Sequence, residues 1–476
     1  MKKFLAFFIG ISVSVCVSAQ QNLGIRNSNY AGIQGALLNP SSIAGSPLKF
    51  DLNIISGDEV FDNNFLYAPK KSLSFFGIQK IIKGSINEDL FFTHYSPQDI
   101  NKLYSVTFST EILGPSFFIK VAKKHEIGLT IAGRAYGNVD RIPGGMAQNA
   151  FAYFQERDLW NQPLMDNTTR VNSMGWLQYG LHYAAVIYSH GRNELKAGAS
   201  FNYLQGIAAA YVKNTHVKYN ISDSANLNFS NSTIDYGRTD FDDFKKISSY
   251  HDLNHGHGFG ADIGFTYVHL KENSTNNDEH IHIQSAPEKT GYVYRLGISL
   301  IDAGSINFNR NSESYRLQAV AADFTNWGQL KVNGNKQLDQ TLSAIFYNGD
   351  SSKSLTANHF NMGMPAAISV QADWNFYKNF FANATIIKGL HHGNSEGVIR
   401  PDVYSVTPRY ETQNFEVSIP VSVLYYNRWK ARAGIALRYR YFFIGGDAPG
   451  SLLKLNSLEG ADFYAGIHYY IPEKKK

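Results

Sequence analysis

Three arginines at even intervals, Arg432, Arg438 and Arg440, are the residues whose spacing most invites chemistry in this chain. In an extended segment they share one face. They can pair there with acids on neighbouring segments, Glu416 and Asp462, as a structural network, or line a path for an anionic solute as rings of basic side chains do in selective pores. The histidines point less clearly. His251, His255 and His257 lie near Asp240, Asp242, Asp243 and Asp252. A helix would put His251 and His255 on one face at a metal-holding spacing. Gly256 and Gly258 argue instead for a loop or the start of a strand, and His280-x-His282 and His391-His392 read the same way. No metal site and no cofactor is expected. No Gly-x-Ser-x-Gly, Walker A or His-Glu-x-x-His pattern occurs, and no local pattern singles out a Ser/His pair, so no catalytic residues are assigned and no enzyme is expected.

The elements that carry these residues alternate with period two, the pattern of strands with two different faces. In Ala431–Tyr441, Ala431, Ala433, Ile435, Leu437, Tyr439 and Tyr441 oppose Arg432, Gly434, Ala436, Arg438 and Arg440. Three arginines on one strand face suit a wet lumen and would be costly in a dry core. Phe415–Tyr425, Phe463–Ile471, Ile368–Trp374, Leu195–Tyr203, Phe259–Tyr267, Leu177–Tyr183 and Leu48–Ile54 alternate likewise, with aromatics near many segment ends. The segments are longer than the usual strand, and no blade-length repeat is present.

Composition fits an all-β membrane protein. Charged residues are 17% and aromatics 14% of the chain, with a mean hydropathy of −0.26. Lys2-Lys3, the apolar run Phe4–Val17 and Val17-Ser18-Ala19 form a secretory signal peptide over residues 1–19. It holds Cys16, the single cysteine, so the mature chain has no disulfide or thiolate chemistry. No later apolar run is long enough for a spanning helix. A transmembrane antiparallel β-barrel escapes such a scan because only alternate residues face lipid. The net charge of +5 is dispersed apart from Lys474–Lys476, which leaves no nucleic-acid footprint.

Turns set the strand count. Lys123–Glu126, His190–Asn193, Tyr377–Asn379 and Asn427–Lys430 are short; Asn138–Ser173, Gly206–His257, Ser305–Asn361 and Gly445–Gly460 are long and polar. Outer-membrane barrels put short turns at the periplasmic end and long loops outside. Counting Val403–Thr412 as a strand gives an odd total and moves Asn427–Lys430 to the wrong end. Pro401 and Pro408 weaken that stretch as a strand. Assigned to an outer loop, it leaves about 14 strands in a barrel spanning residues 47–476.

Residues 20–46 precede the barrel. Asn39-Pro40 starts a turn that Ser41 and Ser42 can cap, and the small apolar flanks suit a compact plug. Asn39-Pro40-Ser41-Ser42-Ile43-Ala44 resembles the Asn-Pro-Ala-Gly-Leu-Ala element of the long-chain fatty-acid transporter superfamily, with Ser41-Ser42 in place of Ala-Gly. That resemblance implies an N-terminal hatch in a 14-stranded barrel. A broader pattern is similar to uncharacterised Bacteroidota outer-membrane barrels. It comprises Gly24–Tyr30 running into Asn39-Pro40, then Met362–Ala366, Val406–Glu411, Tyr441–Asp447 and Gly460–Tyr464. It implies fold and location without an activity. Two functions stay open: a plugged channel for a hydrophobic or amphipathic small molecule, or a non-transport scaffold or partner subunit of an envelope or secretion assembly. The expected surroundings are outer-membrane lipid, a small hydrophobic ligand and envelope proteins.

Overall fold

The computed structural model describes residues 22–69, 91–240, 253–272, 291–326, 334–390, 396–448 and 459–473. Residues 1–21, over which the signal peptide is expected, Lys474–Lys476, Asp242, Asp243, His251, Asp252, His280, His282, His391 and His392 lie outside them, as does half of Ile78–Leu103.

The chain forms a closed 14-stranded antiparallel barrel. Its staves are β1 (Leu48–Asn63), β2 (Leu103–Leu113 and Ser116–Ala122), β3 (His125–Pro143), β4 (Arg170–His190) and β5 (Asn193–Asp223). Then come β6 (Gly256–Leu270), β7 (Tyr292–Phe308), β8 (Phe360–Gly363 and Ala367–Tyr377), β9 (Phe380–Gly389) and β10 (Asp402–Glu411). The last four are β11 (Phe415–Ser418 and Val421–Tyr425), β12 (Trp429–Ala433 and Ile435–Tyr439), β13 (Phe442–Gly446) and β14 (Gly460–Pro472). Each stave pairs with the next, and β14 returns to β1 in a register running from Leu48↔Pro472 to Asp62↔Gly460. Closure leaves no sheet edge, which the bilayer requires of a spanning sheet.

The alternation read from the sequence is the inside–outside alternation of the wall. On β12, Ile435 and Leu437 point outward and are exposed, while Ala436 and Arg438 are buried inside. An outward apolar belt runs round the barrel through Ile127, Leu129, Leu181, Phe265, Ile298, Val370, Ile386 and Val421. Aromatic contacts cluster at both ends of it: Tyr377–Phe380–Tyr410 near the short turns, and Tyr404–Trp429–Tyr425 near the long loops. These are the two girdles of a membrane barrel.

Four expectations change. Val403–Thr412 is not a loop: β10 occupies it, pairing with β9 on one side and β11 on the other. Its prolines are harmless, because Pro401 precedes the strand and Pro408 falls where the β10–β11 ladder is already interrupted at Ile419-Pro420. There the Pro408 carbonyl accepts from Ile419 N–H. Including β10 moves the short turn after Tyr425 to the long-loop end. The long polar connections Gly206–His257 and Ser305–Asn361 hold regular structure in their described residues. β5 runs on past Ala210 to pair with the strand Asn226–Thr239, which pairs with Ser312–Phe324. The helix Asn335–Phe346 packs its Phe346 on that sheet beside Phe229 and Phe324. Finally, Leu48 turns inward, out of phase with Ile54, because the β1–β14 register slips between Leu48 and Phe50.

Candidate functional site

The segment Asn22–Ser46 bonds to inward-facing groups of staves on opposite sides of the barrel, a pattern reachable only from inside the lumen. Arg26 meets Asp58 of β1 at 3.2 Å and Glu111 of β2 at 2.6 Å. Ser28 donates to Glu416 of β11 at 2.8 Å, Asn27 to Thr385 of β9 at 3.1 Å, and Asn29 N–H to Glu411 of β10 at 3.2 Å. Ile33 N–H donates to Asp51 of β1 at 2.9 Å, and Ser299 of β7 donates to the Leu38 carbonyl at 2.8 Å. None of these contacts is strand pairing. Side chains hold the segment to a wall that is complete without it.

Asn39 is the segment's most connected side chain. Its Oδ1 accepts from Ser41 N–H at 3.0 Å and Ser41 Oγ at 2.7 Å, capping the 3-10 turn Pro40–Ile43. Its Nδ2 donates to Gln371 of β8 at 3.0 Å. The capping role expected of Ser41 and Ser42 therefore belongs to Asn39: Ser41 is spent on Thr266 of β6 at 2.7 Å, and Ser42 is exposed. Asn39→Ala is expected to cost about 1–2 kcal/mol of docking of this segment. It should raise the labelling rate of a cysteine placed at buried Ala36 several-fold, read with a maleimide on a Cys16→Ser background.

The expected lumen residues fall into three situations. Arg438 is fully buried; its Nε meets Glu416 at 3.0 Å and its other nitrogens donate to the Gln413 and Thr412 carbonyls at 2.9 and 2.8 Å. Its guanidinium lies 4.9 Å over the Tyr30 ring. With each of its three nitrogens engaged, it ties the β10–β11 turn to the N-terminal segment. Arg432 pairs with Asp62 at 2.8 Å. Asp462 accepts from Asp447 N–H at 2.7 Å, and Asp447 in turn accepts from Leu23 N–H at 3.1 Å. Arg432 and Asp462 border a void of about 20 Å³, room for about one water. Arg440 is not in the lumen: β12 ends at Tyr439, and Arg440 sits exposed in the following turn with φ 51°. Of the histidine group, His255 is buried and its carbonyl accepts from Asn309 and Arg310 N–H, while His257 faces outward.

Sequence reading missed most of the charged interior, including the set of half-buried Arg295 with buried Asp373, Arg409 and Glu411. Arg134 of β3 meets Glu111 at 3.2 Å and grips Asp302 of β7 through two bonds of 2.6 and 2.9 Å. Arg400 reaches the same Asp302 carboxylate. Asp58, Arg26, Glu111, Arg134, Asp302 and Arg400 thus form one alternating chain of three acids and three arginines, all buried. Asp302 enters it from a bulge, with φ 55° where the β6–β7 register slips. The signal available in the sequence was Asp302 as the single charge within Leu296–Phe308.

Arg400 arrives on a strap. Gly397 bridges to Gly363 of β8, and Ile399 exchanges two hydrogen bonds, 2.7 and 2.9 Å, with the Asn138 side chain of β3 across the mouth. Val398 enters an apolar cluster with Tyr136, Met174, Trp176, Leu204, Phe308, Met362 and Met364, all on inward faces at the long-loop end. The turn after β11 crosses similarly, with Asn427 donating to Ser105 and Asp140 at 2.7 and 2.6 Å. The lumen therefore meets the N-terminal segment with both charged and apolar groups, the latter around Leu23, Ile25 and Ile33, and is largely apolar beside Val398 of the strap.

Among solved structures, a TodX monoaromatic hydrocarbon channel mutant is 10% identical, with 93% of this chain and 95% of that chain covered at a TM-score of 0.45. A Pseudomonas aeruginosa FadL homologue is 9% identical, with 96% and 99% covered at 0.43. The translocator domain of the Neisseria meningitidis autotransporter NalP is 8% identical, with 95% and 99% covered at 0.33. No curated protein matches the sequence. A family model does match, over residues 62–447. The chain belongs to that family, DUF5723, a family of unknown function.

Proposed function

We propose that this protein is an outer-membrane channel for a hydrophobic or amphipathic small molecule, plugged by Asn22–Ser46 and exported by a signal peptide removed after Ala19. The observation that carries the reading is the attachment of the segment: it fills a closed barrel yet contributes no strand to it, so it can leave while the wall stays paired. The mouth above it supports a hydrophobic cargo, since Trp176, Met174, Phe308 and Met364 face inward where a water-filled pore would carry polar groups. Methionine and aromatic walls adapt to varied apolar shapes. The apolar outer belt supports membrane lipid as the surrounding solvent. The interior pairs are arginine–carboxylate locks, which suits a gate rather than a catalytic centre.

Deleting residues 22–45 behind an intact signal peptide should leave a folded barrel with stable single-channel conductance in planar bilayers, where the full chain stays closed. Cells carrying the deletion should take up a hydrophobic dye faster. A deletion barrel that folds but stays as closed as the full chain would defeat this reading. One observation favours a scaffold instead: the folded sheet and the helix Asn335–Phe346 project beyond the wall, with Val320 80% exposed. If that surface serves a partner, cross-linking on intact cells would capture a protein whose loss reproduces the phenotype of losing this one.

A further inference from the structure

Arg400 is held as a ligand would be held. Its guanidinium donates to the Asp302 carboxylate, to the Pro365 carbonyl at 3.2 Å and to the Tyr136 hydroxyl at 3.4 Å. Val398, two residues earlier, fills the adjoining apolar cluster against Trp176 and Met364. An apolar body and a cationic head therefore occupy neighbouring subsites of the lumen wall, and both belong to a strap held to that wall by side-chain bonds and a single bridge.

The charge balance shows what would replace it. With Arg400 present, the four carboxylates Asp58, Glu111, Asp302 and Asp262, the last accepting from Asp302 N–H at 2.6 Å, stand against the three guanidinia of Arg26, Arg134 and Arg400. Without Arg400, four carboxylates face two guanidinia. A buried carboxylate surplus beside aromatic faces favours a cation and disfavours an anion. An apolar molecule ending in a guanidinium or ammonium group replaces the charge that Arg400 supplied; a carboxylate head would add to the surplus.

We propose that the Val398–Arg400 strap is a tethered occupant of a binding site for a cationic amphiphile, built from Asp302, Tyr136 and the Pro365 carbonyl with Trp176 and Met364 as its apolar wall. The inference rests on the channel reading for its purpose, naming the class of molecule that opens the mouth. Short tethers present their group at millimolar effective concentration, so the strap masks the site from weak ligands and yields to tighter ones.

The test uses the full chain purified in detergent and three probes sharing one ring: 2-phenylethylguanidinium, 2-phenylethanol and 3-phenylpropanoate. Arg400→Met removes the tethered head and keeps an apolar stem. Phenylethylguanidinium should bind this variant at least about tenfold more tightly than wild type, because the competent state is no longer occupied, and should raise its unfolding midpoint. The alcohol and the carboxylate should do neither. Adding Asp302→Asn should abolish the preference. Equal binding of the three probes, or guanidinium binding that survives Asp302→Asn, would overturn the site. If Arg400→Met does not fold, Asn138→Ala loosens the strap with every charge in place and must show the same order of probes; any other order overturns the site as well. The result is read on the plugged protein, so it stands or falls separately from whether the plug-deleted barrel conducts.

Discussion

Arg26→Gln should release the N-terminal segment from the lumen while the barrel wall stays folded. Arg26 is 6% exposed and is the only residue of the segment that supplies an ion pair to the wall among the described residues. Its loss strands Asp58 without a partner and leaves Glu111 with Arg134 alone. Breaking a buried pair by removing one member costs about 3–5 kcal/mol, because the remaining charge stays desolvated. The wall cannot relieve that cost, since Asp58 and Glu111 sit on paired staves. The segment can: once it leaves, water reaches both carboxylates. The penalty therefore falls on docking, and the undocked population should rise about a hundredfold or more. A cysteine at Ala36, on the Cys16→Ser background, reads that population as a labelling rate. Neutralising the acids as well, with Asp58→Asn and Glu111→Gln beside Arg26→Gln, should restore slow labelling, since a fully neutral set strands no charge. An unchanged rate in Arg26→Gln would show that the ion pair does not hold the segment.

The sequence made the wall legible and the lumen largely illegible, for one physical reason. A stave declares itself locally, through alternate residues meeting lipid and lumen, and Phe415–Tyr425 or Phe463–Ile471 can be read without knowing any neighbour. β10 was lost because proline argues locally against a strand; only the partner shows that Pro408 lies at a break where no ladder bond is missing. The short turn after Tyr425 went to the wrong end with it. The charged chain is non-local throughout: Arg26 finds Glu111 85 residues away, and Arg134 finds Asp302 168 residues away. Arg438 and Glu416 were readable as a pair because their staves are adjacent. Arg440 was misplaced because alternation says nothing about where a strand stops. The Asn39-Pro40 turn was visible as a turn, yet which of its side chains caps it depends on Thr266 and Gln371, on staves far along the chain.

Steric rather than electrostatic release gives the complementary result. Gly198 of β5 faces inward, and a Cβ there would lie 2.4 Å from the Pro40 carbonyl carbon and 2.5 Å from Ser41 N. Both are backbone atoms of the 3-10 turn, so no side-chain rotation makes room. Gly264 of β6 repeats the contact, with its Cβ position 2.1 Å from Asn39 Oδ1. The turn nests in a groove that exists because these wall positions lack side chains. Gly198→Leu fills the groove without touching a charge. Overpacking of this kind costs about 1–3 kcal/mol where neighbours can shift; here the turn must also give up the Asn39 and Ser41 bonds to Gln371 and Thr266, each worth about 0.5–1.5 kcal/mol. Gly198→Leu should therefore expose Ala36→Cys and open conductance much as deletion of residues 22–45 does. Outward-facing Gly133→Leu, whose nearest contact is 3.7 Å from Leu177 Cδ2, should leave both unchanged. Conductance from Gly198→Leu with Arg26 intact would mean that the charge chain alone cannot keep the segment seated, and that shape and charge close the lumen together. A closed Gly198→Leu barrel with a protected Ala36→Cys would show that the segment does not depend on this groove.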